Sequence, residues 1–235
     1  MPRVSGYSPG APGPSGPSPR IGVFVRPIGS PVVLGFFAFA IGMFMLGVQS
    51  LEWVRGDEYS TVGIVLIAFV FPLELIAGVI AYFARDTLAA TVLGVFGASW
   101  LLLGIFLATS PPHELNHAVG FYLFVFSSVT LSLAVVAFTG KPLFGVLLTL
   151  STARSILAGI HEFSGGQTVN GASGVVALTL CGIAVYGGLA LLFEDVLQET
   201  RLPVFRRGAA RSALEGDLRE QLRRLDGEAG VRQQL

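Results

Sequence analysis

Glu74 and Arg154 are ionisable residues set inside long apolar stretches of a 235-residue chain. A charge near the centre of a hydrocarbon layer costs about 2.5 to 3.5 kcal/mol on insertion scales, so such residues serve ion pairing, proton handling or substrate contact. Around them the apolar stretches offer little beyond Ser, Thr and Tyr hydroxyls and the thiol of Cys181. Nothing resembles a catalytic triad, a Walker-type phosphate loop or a dinucleotide fingerprint, so neither an enzyme nor a nucleotide-driven pump is expected, and no cofactor. Three histidines and one cysteine are too few for a closed structural zinc site, and one cysteine excludes an intrachain disulfide. What remains is passive or ion-coupled movement of a small solute, or a structural membrane role.

The elements that must position these groups follow from composition. Hydrophobic residues make up 52% of the chain and charged residues 13%, against roughly a quarter charged in soluble domains. The formal net charge is zero, so no basic excess points to nucleic acid. Apolar runs fall at about 31 to 49, 61 to 83, 87 to 108, 118 to 138, 142 to 160 and 173 to 193. Each approaches the roughly 20 residues that cross a ~30 Å hydrocarbon core, and continuous runs of that length must be helices because lipid offers the backbone no hydrogen bonds. The expected fold is all-α, a polytopic bundle of six transmembrane helices over 28–200.

Residues 1–27 are rich in Pro, Gly and Ser and read as a disordered tail, with no apolar core of the kind a cleavable signal needs. In 201–235, Ser212 and Glu215 have capping-box spacing ahead of Leu218, Leu222 and Leu225, which predicts a cytoplasmic amphipathic helix. Arg3, Arg20, Arg26, Arg85, Lys141 and eight C-terminal arginines fall on one side of the spans and only Arg55 on the other. By the positive-inside rule both termini are cytoplasmic. The opposite connections carry Glu52, Asp57, Glu58, His113, Glu114, His117, His161 and Glu162, read as solvated loop residues.

The first span opens with Gly29-Ser30-Pro31-Val32-Val33-Leu34-Gly35. Serine at the N-cap and proline at the first helical position suit a helix start whose free N–H groups can hold a carboxylate, although an ordinary cap has the same spacing. Glycines in the spans read as close-packing positions, and aromatics such as Phe36, Phe37, Phe39 and Phe96 as lipid or core contacts.

Three segments, in order between about Ile28 and Pro203, resemble the acetate uptake transporter family, which includes the YaaH-type succinate-acetate permeases. Ser30-Pro31-Val32-Val33-Leu34-Gly35-Phe36-Phe37-Ala38-Phe39 stands where that family has Asn-Pro-Ala-Pro-Leu-Gly and a Gly/Phe-rich run. Thr87-Leu88-Ala89-Ala90-Thr91, followed by Phe96-Gly97 and Trp100, occupies the place of its Thr-Phe-Gly-Ala-Thr, Tyr-Gly and Trp. Cys181-Gly182, Tyr186 and Val196-Leu197-Gln198-Glu199 match the last span and its exit. The resemblance implies a plasma-membrane transporter or channel for acetate and similar small carboxylates, succinate among them, either as a channel or with proton symport, assembled as a homohexamer. It also implies a constriction at Phe39, Phe96 and Leu150, and substrate contacts at Ser30, Pro31, Leu34, Gly35, Thr87 and Thr91. Phenylalanine in place of the family's tyrosine removes a hydroxyl from the narrowest point. Relatives are also associated with ammonia or ammonium movement, and a non-transporting scaffold is a further alternative.

Glu74 and Arg154 depart from the apolar or amide residues that the resemblance leads one to expect, and both are candidate substrate contacts. At ~1.5 Å per residue they lie roughly 14 Å and 18 Å from the same membrane face, within reach of one another. One expectation is therefore an ion pair; the other is Arg154 reaching the outer headgroups, with Glu74 against a water-filled path.

Overall fold

The computed structural model describes residues 29–197 and 201–206. The expected N-terminal tail and the amphipathic helix after Ser212 lie outside the described residues. Within them the chain is all-α and contains no strand. The helices are α1 (Pro31–Ser50), α2 (Tyr59–Val65), α3 (Phe71–Phe83), α4 (Thr87–Thr109), α5 (His117–Phe138), α6 (Pro142–Ser164) and α7 (Gln167–Leu197). A turn of π-helix, Leu66–Val70, joins α2 to α3, so that six helical segments are long and apolar enough to cross a membrane.

Pro72 accounts for the π turn. Proline has no N–H to donate, and its ring collides with the carbonyl four residues back in a regular helix. Widening the preceding turn relieves this, with the Phe71 N–H bonded to the Leu66 carbonyl five residues back. The helix then resumes with Glu74, Ala77, Gly78 and Ala81 on one buried stripe.

The segments alternate in direction. One face, the terminal face, gathers the start of α1, the α3–α4 and α5–α6 turns and the end of α7; the opposite face gathers the other three connections. Around the bundle, α5 packs on α6, α6 on α7, α7 on α1, α1 on α3 and α3 on α4, and a thinner α4–α5 seam closes the ring. The axis is filled from α1 by Phe36, Phe39, Met43 and Leu46, all buried and spaced to fall on one helical face. At the terminal face Asp86 caps α4 by accepting from the Ala89 N–H at 3.2 Å and forms an ion pair with Lys141, tying two turns together. At the opposite face Glu162 accepts the Asn116 N–H at 2.8 Å, fixing the end of α6 to the start of α5. Gly165 ends α6 at φ 65°, a left-handed position that suits glycine.

Backbones meet where side chains are absent. A Cβ on Gly63 would stand 2.5 Å from the Gly104 carbonyl oxygen and 2.8 Å from the Ala108 nitrogen, so α2 and α4 are in main-chain contact there. Gly63→Ala is expected to destabilise the protein by roughly 1 to 3 kcal/mol through overpacking. Gly94→Ala is the control, because a Cβ there meets nothing within 4 Å. Thermal unfolding in mild detergent checks both: a lower midpoint for Gly63→Ala and none for Gly94→Ala.

Candidate functional site

Two layers of aromatic rings divide the axis of the ring into three spaces. The lower layer is the edge contact of Phe36 on α1 with Phe144 on α6, centroids 5.7 Å apart. In the upper layer Phe39 meets Phe96 at 5.2 Å and Trp100 at 5.9 Å, and Phe96 meets Phe126 of α5 at 5.1 Å. These contacts are steeply inclined, at 66° to 83°, the edge-to-face geometry that aromatic quadrupoles favour. Phe96 and Trp100, four residues apart on α4, share one helical face, so both rings reach the axis.

On the terminal side lies a cavity of about 110 Å³ lined by Ser30, Asp86, Lys141, Phe144 and Arg206 among others. Its charges are largely matched, since Lys141 pairs with Asp86 and Arg206 with Glu194. Between the two aromatic layers is a central cavity of about 20 Å³ bounded by Gly35, Phe36, Phe39, Glu74, Phe96 and Leu147. One water needs about 10 to 15 Å³ by this measure. The central space therefore admits a water and excludes a carboxylate unless rings turn aside. At the opposite face a cavity of about 80 Å³ reaches down to Arg154, with Gln49, Tyr59, Glu114, Glu162 and Asn170 in its walls.

The sequence-derived residues divide along this axis. Ser30 lines the terminal cavity, Gly35, Phe39, Phe96 and Glu74 surround the central one, and Arg154 lines the third. Ser30 sits at the N-cap of α1, but its hydroxyl bonds no first-turn N–H. Pro31 occupies the first turn of α1, Leu34 is exposed, and neither lines any of these cavities. Thr87 is also exposed, and the Thr91 hydroxyl is spent on the Thr87 carbonyl at 2.8 Å, so neither faces the axis. Leu150 is half-buried and packs against the outside of the core cluster, whereas Leu147, one turn earlier on α6, lines the central cavity.

Glu74 and Arg154 do not pair. Glu74 is 0% exposed and both carboxyl oxygens lack a hydrogen-bond partner; the Trp100 indole N–H lies close by but outside bonding geometry. Arg154 is 6% exposed, its Nε has no partner, and it forms no ion pair among the described residues. Glu74 turns into the central cavity and Arg154 into the one beyond the Phe39–Phe96 layer, so the two groups end at different levels of the axis. Phe126, Phe144 and Leu147 join these layers and the central cavity without standing out in the sequence. Their spacing from other apolar residues marks a buried face but not which buried face meets the axis.

A family model described as the GPR1/FUN34/yaaH family matches residues 16–206. The chain belongs to the GPR1/FUN34/yaaH family. Similar curated members of the GPR1/FUN34/yaaH family come from Saccharomyces cerevisiae: Ammonia transport outward protein 2, 27% identical over 178 residues, and Accumulation of dyads protein 2, 28% identical over the same length. Each match covers 71% of this chain and spans 62% of the relative's length. In fold the chain is similar to a structure described as that of the bacterial acetate channel SatP, with TM-score 0.68 and 20% identity, covering 75% of this chain and 99% of that one. It is accordingly a multi-pass membrane protein.

Since Glu74 and Arg154 occupy separate cavities, Glu74→Gln and Arg154→Gln are expected to change the unfolding free energy additively, within about 0.5 kcal/mol. Denaturant unfolding of the two single variants and the double variant checks this. A coupling well above that figure would show that the two charges do meet.

Proposed function

We propose that this protein conducts acetate and similar small carboxylates across a plasma membrane through the axis of its helical ring. One observation carries the proposal: an aromatic barrier separates cavities at opposite faces, in a fold similar to that of a bacterial acetate channel. Phe39 and Phe96 form the constriction in this reading, with Leu147 beside them and Leu150 behind the α6 face. Ser30 and the start of α1 open on the terminal cavity, where the free N–H groups of the first turn suit an anion. The cation bias of the terminal face, with Arg85, Lys141, Arg201 and Arg206 against Arg55 alone on the other side, supports cytoplasmic termini. Many large apolar side chains point away from the axis, among them Phe69, Phe121, Val125 and Val135. They would face lipid or neighbouring copies, and a closed homohexamer fits the usual preference for point-group symmetry.

Ammonium is the second reading, and Glu74 favours it. A carboxyl group ringed by Phe36, Phe39 and Phe96 offers a small cation both charge and aromatic faces.

Labelled-acetate uptake into proteoliposomes, with and without an imposed pH gradient, tests the main reading. Uptake should exceed that of empty vesicles, and ammonium should not compete. Phe96→Ala should raise the initial rate several-fold by removing a ring from three contacts, and Leu150→Ala should change it less. Flux equal to that of empty vesicles at high protein load, in acid and at neutral pH, would instead identify a scaffold.

A further inference from the structure

Arg154 is a permanently charged group buried with no counter-charge. Its guanidinium carries a planar fork of donors, the shape that grips a carboxylate through two parallel hydrogen bonds. Withdrawing such a group from water without a partner costs several kcal/mol, a debt that a bound anion offsets. The side chain is 6% exposed, its Nε is unpartnered, and it lines the cavity at the face opposite the termini. At about 80 Å³ that cavity holds several times the roughly 10 to 15 Å³ that one water requires. Arg154 also follows Leu147 by two turns on nearly the same face of α6, so it sits just beyond the aromatic barrier.

The remaining charges of this cavity are arranged at its rim. Glu114 and Glu162 line it; Glu162 accepts the Asn116 N–H at the start of α5 at 2.8 Å, and neither acid forms an ion pair with Arg154. His161 is held by the Gly166 carbonyl at 3.2 Å and His113 packs against the Tyr59 ring. The buried Asn170 adds an uncharged amide within the walls. A monoanion can give its one charge to the deep cation. A dianion of similar width would have to bring its second carboxylate toward two acids.

We propose that this cavity is a monocarboxylate site in which Arg154 holds the carboxylate and the rim acids Glu114 and Glu162 turn dicarboxylates away. The proposal rests on the carboxylate-conduction reading and narrows its substrate class, with succinate on the excluded side.

The test uses the purified full chain in mild detergent at neutral pH, titrated with sodium acetate, sodium succinate and sodium chloride at matched ionic strength. Two signals are followed: the thermal midpoint, and binding of labelled acetate. Acetate should raise the midpoint saturably, and succinate and chloride should not. Arg154→Gln should weaken acetate binding about tenfold to hundredfold, the loss expected for a hydrogen bond to a charged group, and Arg154→Lys should recover part of it. The double variant Glu114→Gln, Glu162→Gln keeps the acceptor for Asn116 and should let succinate bind. Equal responses to the three salts, or unchanged acetate binding in a folded Arg154→Gln, would overturn the site. Labelled uptake separates the two proposals. Binding at Arg154 with no flux in vesicles would remove conduction and leave the site, whereas wild-type flux with the same acetate dependence in Arg154→Gln would remove the site and leave conduction.

Discussion

Hydrocarbon gives a helix neither hydrogen bonds for its polar groups nor a hydrophobic reason to leave lipid for another helix, and the structure is organised around both deficits. Cohesion has to come from close contact. Close approaches fall at glycines, such as Gly63 against the Gly104 carbonyl and Gly47 against the Leu178 side chain, where α2 meets α4 and α1 meets α7. Gly42 does the same for a side chain, since a Cβ there would stand 2.9 Å from the Trp100 ring. Hydroxyls obey the first deficit by bonding their own helix: Ser127 donates to the Phe124 carbonyl, Ser151 to that of Leu147, Thr179 to that of Val175. Thr130 and Thr152 add a direct bond of 2.9 Å between α5 and α6.

Against this background Glu74 and Arg154, buried ionisable side chains with unpartnered atoms inside the bundle, stand out. Many serine and threonine hydroxyls bond a carbonyl of their own helix, and the ion pairs Lys141–Asp86 and Arg206–Glu194 sit at the terminal face. Glu74 and Arg154 instead end in cavities on successive levels of one axis. Stability alone would favour uncharged residues of similar shape at both positions.

Much of this was legible in the sequence. Six apolar runs of sufficient length dictate six helices, and their alternation places Arg85 and Lys141 on one face. The π turn over Leu66–Val70, just before Pro72, leaves no mark in the hydropathy of the second run. The last helix begins at Gln167, earlier than its apolar run, because Asn170 and Ser173 are buried inside the bundle and extend the helix beyond what hydropathy marks. Along a helix, sequence gives depth well; around it, one residue is worth about 100°. That is why the sequence alone does not mark Leu147, in preference to Leu150, as the residue of α6 that lines the central cavity.

The smallness of the central cavity has an electrical meaning. A compartment with room for about one water, walled by Phe36 and Phe144 on one side and Phe39 and Phe96 on the other, leaves little space for the files of hydrogen-bonded water along which protons cross proteins. In the conduction reading proposed above, rings held together in this way would let a membrane crowded with the protein keep its voltage and its pH difference.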